Sequence, residues 1–152
     1  MLAGVLYAFR PSQPYLAAIS LVASGILDVL DGAVARVTHR VSKSGSFNDS
    51  TLDRLAELAV YAGIIYGSYV SPVAVLLALS FSLLVSYTRA KGDSLGVSLS
   101  GIGIGERAER LLVLIVFSIF GFVGIGVIIV LVIAFVTFVQ RYIAILRKLR
   151  FQ

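Results

Sequence analysis

Between Arg110 and Arg141 the chain carries no charged residue. A membrane-crossing helix needs about 20 apolar residues to pass roughly 30 Å of hydrocarbon, so the run from Arg107 to Arg141 is too long for one helix. Lipid satisfies no backbone polar group, so such a run must be helical rather than irregular or an open strand. The glycines of GFVGIG, Gly121, Gly124 and Gly126, mark a tight turn that divides it into a fourth and a fifth span. Earlier in the chain the same criterion gives a span over residues 14–34, a second over 49–69 entered through acidic residues, and a third over 72–90 after the Ser71-Pro72 break. Residues 1–9 would make a helix about 13 Å long, too short to cross alone. The expected fold is therefore all-α: a polytopic transmembrane helix bundle of five full spans plus a truncated first span, in a single domain over residues 1–152.

Composition agrees, because 59% of the 152 residues are hydrophobic and 14% are charged, which is outside the range of a soluble domain. The N-terminus lacks the charged region and small-residue cleavage site of a secretory leader, so no segment is expected to be removed. The chain has no cysteine, which excludes disulfides, thiolate catalysis and thiolate metal sites.

Charge sets the orientation. The loops around residues 36–54, 89–110 and 141–152 hold Arg36, Arg40, Lys43, Arg54, Arg89, Lys91, Arg107, Arg110, Arg141, Arg147, Lys148 and Arg150, and the opposite side holds only Arg10. The positive-inside rule assigns the basic side to the cytoplasm of a cell membrane. Asp28, Asp31, Asp49, Asp53, Glu57, Asp93, Glu106 and Glu109 fall on or near that same side. The net charge of +5 therefore points to anionic lipid or an anionic substrate, and no nucleic-acid partner is expected. The lone His39 reads as a residue of a solvated loop.

Asp28 and Asp31 are three residues apart and Asp49 and Asp53 four apart, so each pair shares one face of its helix. The end of one span and the start of the next bring both pairs to the same depth. Four carboxylates gathered near a low-dielectric region repel one another and call for a compensating cation. Oxygen-only ligands suit a hard ion, Mg²⁺ or Mn²⁺, and four carboxylates suffice for two ions. The spacing also admits a second reading, in which Asp49, with Asn48 and Ser50, is a solvated helix cap. Gly32, Ala35 and Gly45 leave room for a ligand to approach the backbone, or serve close helix packing. Arg36 could bind phosphate or snorkel to the interface.

Asp28, Asp31, Gly32, Ala35, Arg36, Gly45, Asp49 and Asp53 match at every position the pattern D-x2-D-G-x2-A-R-x8-G-x3-D-x3-D, and the chain thereby resembles the CDP-alcohol phosphotransferases. The resemblance implies a six-helix membrane enzyme, usually a homodimer, in which an alcohol attacks the pyrophosphate of a CDP-linked lipid and CMP is released. It implies that Asp28, Asp31 and Asp49 hold divalent metal, with Asp53 beside them as the general base and a further acidic group of the metal site. Gly32, Ala35, Arg36 and Gly45 would line the nucleotide together with Asp28 and Asp31. It also implies that the N-terminal part of the first helix is missing from this chain, since residues 1–9 supply only the tail of such a span.

For the acceptor, helical spacing and a common membrane side allow Arg89, Lys91, Arg107, Arg110 and Arg141 to converge beside the aspartates. The alternative is that they are ordinary basic flanks. A phosphorylated alcohol suits such a pocket better than serine or choline. The segments SYTRAK, residues 86–91, and ERAER, residues 106–110, are similar to those of the phosphatidylinositol-phosphate and archaetidylinositol-phosphate synthase branch, which implies inositol 1-phosphate as acceptor and CDP-diacylglycerol or CDP-archaeol as donor. Glycerol 3-phosphate, of similar charge, is the rival acceptor. Gly101, Gly103 and Gly105 follow no strand and read as a flexible turn rather than a phosphate loop. A cation or proton transporter is the reading from another class, but it would place acids near the bilayer centre or on both sides.

Overall fold

The structure, a computed structural model, describes residues 1–37, 42–99 and 101–150, with the side chains of Asp31, Gly32, Ala35 and Arg36 outside the described set. His39 and Arg40 also lie outside it. The described residues form six helices and no strand: α1 (Leu2–Phe9), α2 (Pro14–Val37), α3 (Lys43–Tyr66), α4 (Pro72–Ser94), α5 (Arg107–Ile119) and α6 (Val123–Arg150).

Local chemistry accounts for several of the boundaries. Pro14 and Pro72 open α2 and α4, where a missing amide hydrogen costs nothing because first-turn N–H groups have no helical partner. The Ser42 hydroxyl caps α3 by accepting from the Gly45 amide at 3.0 Å. This cap starts α3 well before the expected entry at Asp49, and Asp49 therefore lies in the second turn rather than at the helix end. The solvated-cap reading of Asp49 is thereby corrected.

The apolar run divides at Phe120 to Phe122, with Gly121 in the left-handed region at φ +79°. Gly124 and Gly126, expected in that turn, instead lie within α6. A Cβ at Gly124 would come 2.7 Å from the Tyr69 carbonyl oxygen, and one at Gly126 would come 2.9 Å from Phe117 Cβ. Their role is close packing. Of the five expected full spans, α4 and α6 are long and apolar enough by themselves to cross a membrane, while the apolar part of α2 runs from Pro14 to Leu30. With 13 residues, α5 is about 20 Å long at 1.5 Å per residue, short of the hydrocarbon thickness.

The helices pack as α4 on α6, α1 across α2 and α3, and α5 against α2 and α6. The buried core runs through Ala3, Tyr7, Ala17, Ile64, Val75, Leu114, Val127 and Val130. Between α1 and α3, Gly4 and Gly63 meet so closely that a Cβ on Gly63 would fall onto the Gly4 carbonyl. Tyr7 then reaches across the core, and its hydroxyl shares a 2.6 Å hydrogen bond with that of Ser118 on α5. The C-terminal halves of α2, α4 and α6 and the N-terminal halves of α3 and α5 meet at one end of the bundle. The chemically capable side chains collect there.

Candidate active site

Asp28 from α2 and Asp53 from α3 face the same cation. Arg107 Nη1 lies 2.7 Å from Asp53 Oδ1 and 3.9 Å from Asp28 Oδ2. The pairs are only partly buried, with the Asp53 and Arg107 side chains 19% and 30% exposed. Asp49, one turn before Asp53, is exposed, and both it and Asp28 are close enough to act on the Asp53 carboxylate electrostatically. Arg54 Nη1 stands 3.7 Å from Asp53 Oδ2 while donating to the Ser50 carbonyl of its own helix at 2.8 Å. Gly45 lies in the first turn of α3, four residues before Asp49. Asp31, Gly32, Ala35 and Arg36 are on α2, with side chains outside the described residues.

One turn deeper, Glu57 on α3 pairs with Arg110 on α5 at 3.5 Å, with side chains 4% and 2% exposed. Arg110 Nη1 also donates to the Gly105 carbonyl at 2.6 Å. Arg110 is thus tied to the protein on two sides while still lining the cleft described below.

Arg141 is anchored at three points. It donates from Nε to the Ile102 carbonyl at 2.9 Å, from Nη1 to the Val85 carbonyl at 3.1 Å and from Nη2 to Glu106 Oε1 at 3.1 Å. Glu106 also pairs with the exposed Arg89 at 3.4 Å. Gly103, at φ +110°, and Gly105 bring the 101–106 loop hard against Ile133, Thr137 and Arg141 of α6. The loop expected to be a flexible turn is thus packed, and it presents Glu106.

These groups line a cleft of about 790 Å³. Asp28, Asp53, Arg89, Glu106, Arg107, Arg110 and Arg141 are among its polar residues, and Leu21, Ile26, Leu111, Leu112 and Ile115 are among its apolar walls. Lys91 is exposed at the end of α4 and is not among the lining residues. Such a cleft can take a charged group at one side and hydrocarbon at the other. Sequence reasoning gave no role to Arg54, Glu57 or Glu106. The signal for one of them was present, since Glu57 follows Asp53 by four residues just as Arg110 follows Arg107 by three, which places each pair on one helix face.

The model of the family described as CDP-alcohol phosphatidyltransferase matches residues 1–140. The chain belongs to this family. A CDP-alcohol phosphatidyltransferase with two helices long and apolar enough to cross a bilayer is an integral membrane protein. The chain is 44% identical over 119 residues to the archaetidylinositol phosphate synthase of Methanothermobacter thermautotrophicus, covering 74% of this chain and 60% of that one. It is 40% identical over 143 residues to the archaetidylinositol phosphate synthase of Pyrococcus horikoshii, covering 94% of this chain and 76% of that one. Against the first of these relatives, then, the chain spans about three fifths of the length. Among solved structures, the phosphatidylinositol phosphate synthase of Mycobacterium tuberculosis with CDP-DAG bound superposes with a TM-score of 0.79 at 27% identity, covering 95% of this chain and 81% of that one. The same enzyme has been solved in complex with manganese and citrate, and that structure also gives a TM-score of 0.79, at 28% identity and covering 95% of this chain and 77% of that one.

Among the described residues no three carboxylate or histidine side chains lie close enough together to hold a metal ion. The donor chemistry nonetheless fits a hard divalent cation. Asp28 and Asp53 offer only oxygen and already converge on a single positive group, and Asp49 adds negative charge from the next turn.

Proposed function

We propose that this chain transfers a phosphatidyl-type group from a CDP-linked lipid, CDP-diacylglycerol or CDP-archaeol, to inositol 1-phosphate, releasing CMP. The observation that carries the reading is the convergence of Asp28 and Asp53, from two helices, on one cation at the polar side of a cleft whose other walls are apolar. The names of the two archaeal relatives support the choice of acceptor, and the CDP-DAG bound to the mycobacterial neighbour supports the donor. Glycerol 3-phosphate remains the rival acceptor, because its phosphate carries the same charge.

In this reading Asp28, Asp31, Asp49 and Asp53 would hold two Mg²⁺ or Mn²⁺ ions, which when bound would neutralise the pyrophosphate and stabilise CMP as leaving group. Asp53 accepts the proton of the attacking hydroxyl, whose oxygen forms a bond to the lipid-bearing phosphorus while the bond from that phosphorus to CMP breaks. General-base assistance of this kind supplies about 10² to 10⁴ in rate. Gly32, Ala35, Arg36 and Gly45 line the nucleotide with Asp28 and Asp31. Arg89, Arg107, Arg110 and Arg141, which all line the cleft, face the acceptor phosphate. Lys91 adds long-range attraction from outside the cleft. Leu111, Leu112 and Ile115 would keep the donor's hydrocarbon against the bundle while its head reacts.

The reading extends to five spans after α1, of which α5 is the short one, a single domain over residues 1–152, a homodimer, and a cleft open to the cytoplasm. The gathering of Arg89, Arg107 and Arg141 at one end of the bundle supports the last point. The test is CMP release by purified protein given CDP-lipid, Mg²⁺ or Mn²⁺, and either labelled inositol 1-phosphate or glycerol 3-phosphate. Product with inositol 1-phosphate is expected; inertness toward it would overturn the acceptor, and no CMP with either would overturn the reaction.

A further inference from the structure

Arg107 is the first residue of α5, where the helix dipole is already positive and a cation gains nothing locally. Its position is therefore set by the carboxylates across from it, and its guanidinium reaches Asp53 on α3 and Asp28 on α2 from one nitrogen. The fork is incompletely used, because Arg107 Nε is buried with no hydrogen-bond partner. By contrast, Arg54, also within 4 Å of Asp53, is tied to its own helix through Ser50. Below Arg107 the buried Glu57–Arg110 pair bridges α5 to α3 and α5 itself packs on α2 and α6, so Arg107 can move as a side chain without the helices parting.

We propose that Arg107 is an exchangeable counter-ion that couples the cation site to the acceptor phosphate. It competes with a divalent ion for Asp28 and Asp53; when the ion binds, the guanidinium turns its fork to a phosphate in the cleft. An acceptor phosphate that draws Arg107 away from the carboxylates then tightens metal binding, and by linkage the metal tightens acceptor binding by the same factor. This rests on the metal-dependent reading above. It assigns to Arg107 a role beyond holding acceptor, namely setting the order in which charge is assembled.

The test is Mn²⁺ binding, followed by the paramagnetic signal of the free ion, on the full chain in nanodiscs without CDP-lipid, with and without inositol 1-phosphate. Arg107→Gln is expected to bind Mn²⁺ on the order of tenfold more tightly than wild type, and to lose the tightening that inositol 1-phosphate gives the wild type. Arg107→Lys, which keeps the charge but not the fork, is expected to lie between the two. Arg54→Gln removes a neighbouring cation and is expected to retain the coupling. Unchanged or weaker Mn²⁺ binding in Arg107→Gln, persistent coupling in that variant, or equal loss of coupling in Arg54→Gln would overturn the proposal alone. Absence of Mn²⁺ binding in every protein would overturn the metal-dependent reading with it.

Discussion

Glu57 and Arg110 pair across α3 and α5 in the buried interior, one helical turn below the more open pair of Asp53 and Arg107. The two helices are thereby joined by a ladder with an inner rung closed to solvent and an outer rung open to the cleft. Desolvation makes the inner rung sensitive to the loss of one partner, whereas solvent and other ions can replace the outer one.

Glu57→Ala should therefore leave the Arg110 charge buried and unpaired. Removing one member of a buried pair costs about 3 to 5 kcal/mol. Thermal unfolding in detergent should show the loss, and the double variant Glu57→Leu with Arg110→Leu should recover much of it. A double variant as unstable as the single one would mean that the pair does not act as a unit.

Asp53→Asn keeps the shape of the side chain but cannot take a proton. If Asp53 is the base, turnover should fall by about 10² to 10⁴ while CDP-lipid binding changes little. Single-turnover CMP release, set beside a binding isotherm for the nucleotide, separates the two effects. Full activity would remove Asp53 from that role.

Arg89 and Arg141 share Glu106 but differ in what else they hold. Arg89→Gln, at an exposed position, should raise the KM for the acceptor with little change in stability. Arg141→Gln should do both, because the Ile102 carbonyl loses the Arg141 donor, at about 1 to 3 kcal/mol, while the Val85 carbonyl keeps that of Thr88. Equal stability of the two variants would contradict the anchoring described for Arg141.

At the other end of the bundle, Gly63→Val should displace α1, because any Cβ there collides with the Gly4 backbone. Tyr7→Phe is the milder probe; it leaves the buried Ser118 hydroxyl without its partner, at about 1 to 3 kcal/mol. Back at the cleft, Gly25→Ala, where a Cβ meets nothing within 4 Å, should not lower the unfolding temperature.

Chelation should abolish CMP release, and Mg²⁺ or Mn²⁺ should restore it, if oxygen donors alone build the cation site. Activity that survives exhaustive chelation would leave Arg107 as the counter-charge to the carboxylates throughout.

Much of this was legible in the order of residues. Apolar runs bounded by Pro14, Pro72 and the Gly121 turn announce helices because lipid permits little else, and the aspartate spacing announces a charged face because helical periodicity is a local property. Family membership followed from the same aspartates. Less legible were the start of α3, where the Ser42 cap extends the helix through a polar stretch, and the packing of the 101–106 loop against α6.

What the sequence by itself determined, then, is which residues are helical and which acids and bases share a face of their own helix. Only tertiary structure decided that Arg107 meets Asp28 and Asp53 while Arg110, three residues on, is buried against Glu57. The reason is physical. Periodicity orients a side chain about its own helix axis, but what it faces depends on how neighbouring helices approach, and that is set by contacts far away in the chain such as Gly4 on Gly63 and Tyr7 on Ser118.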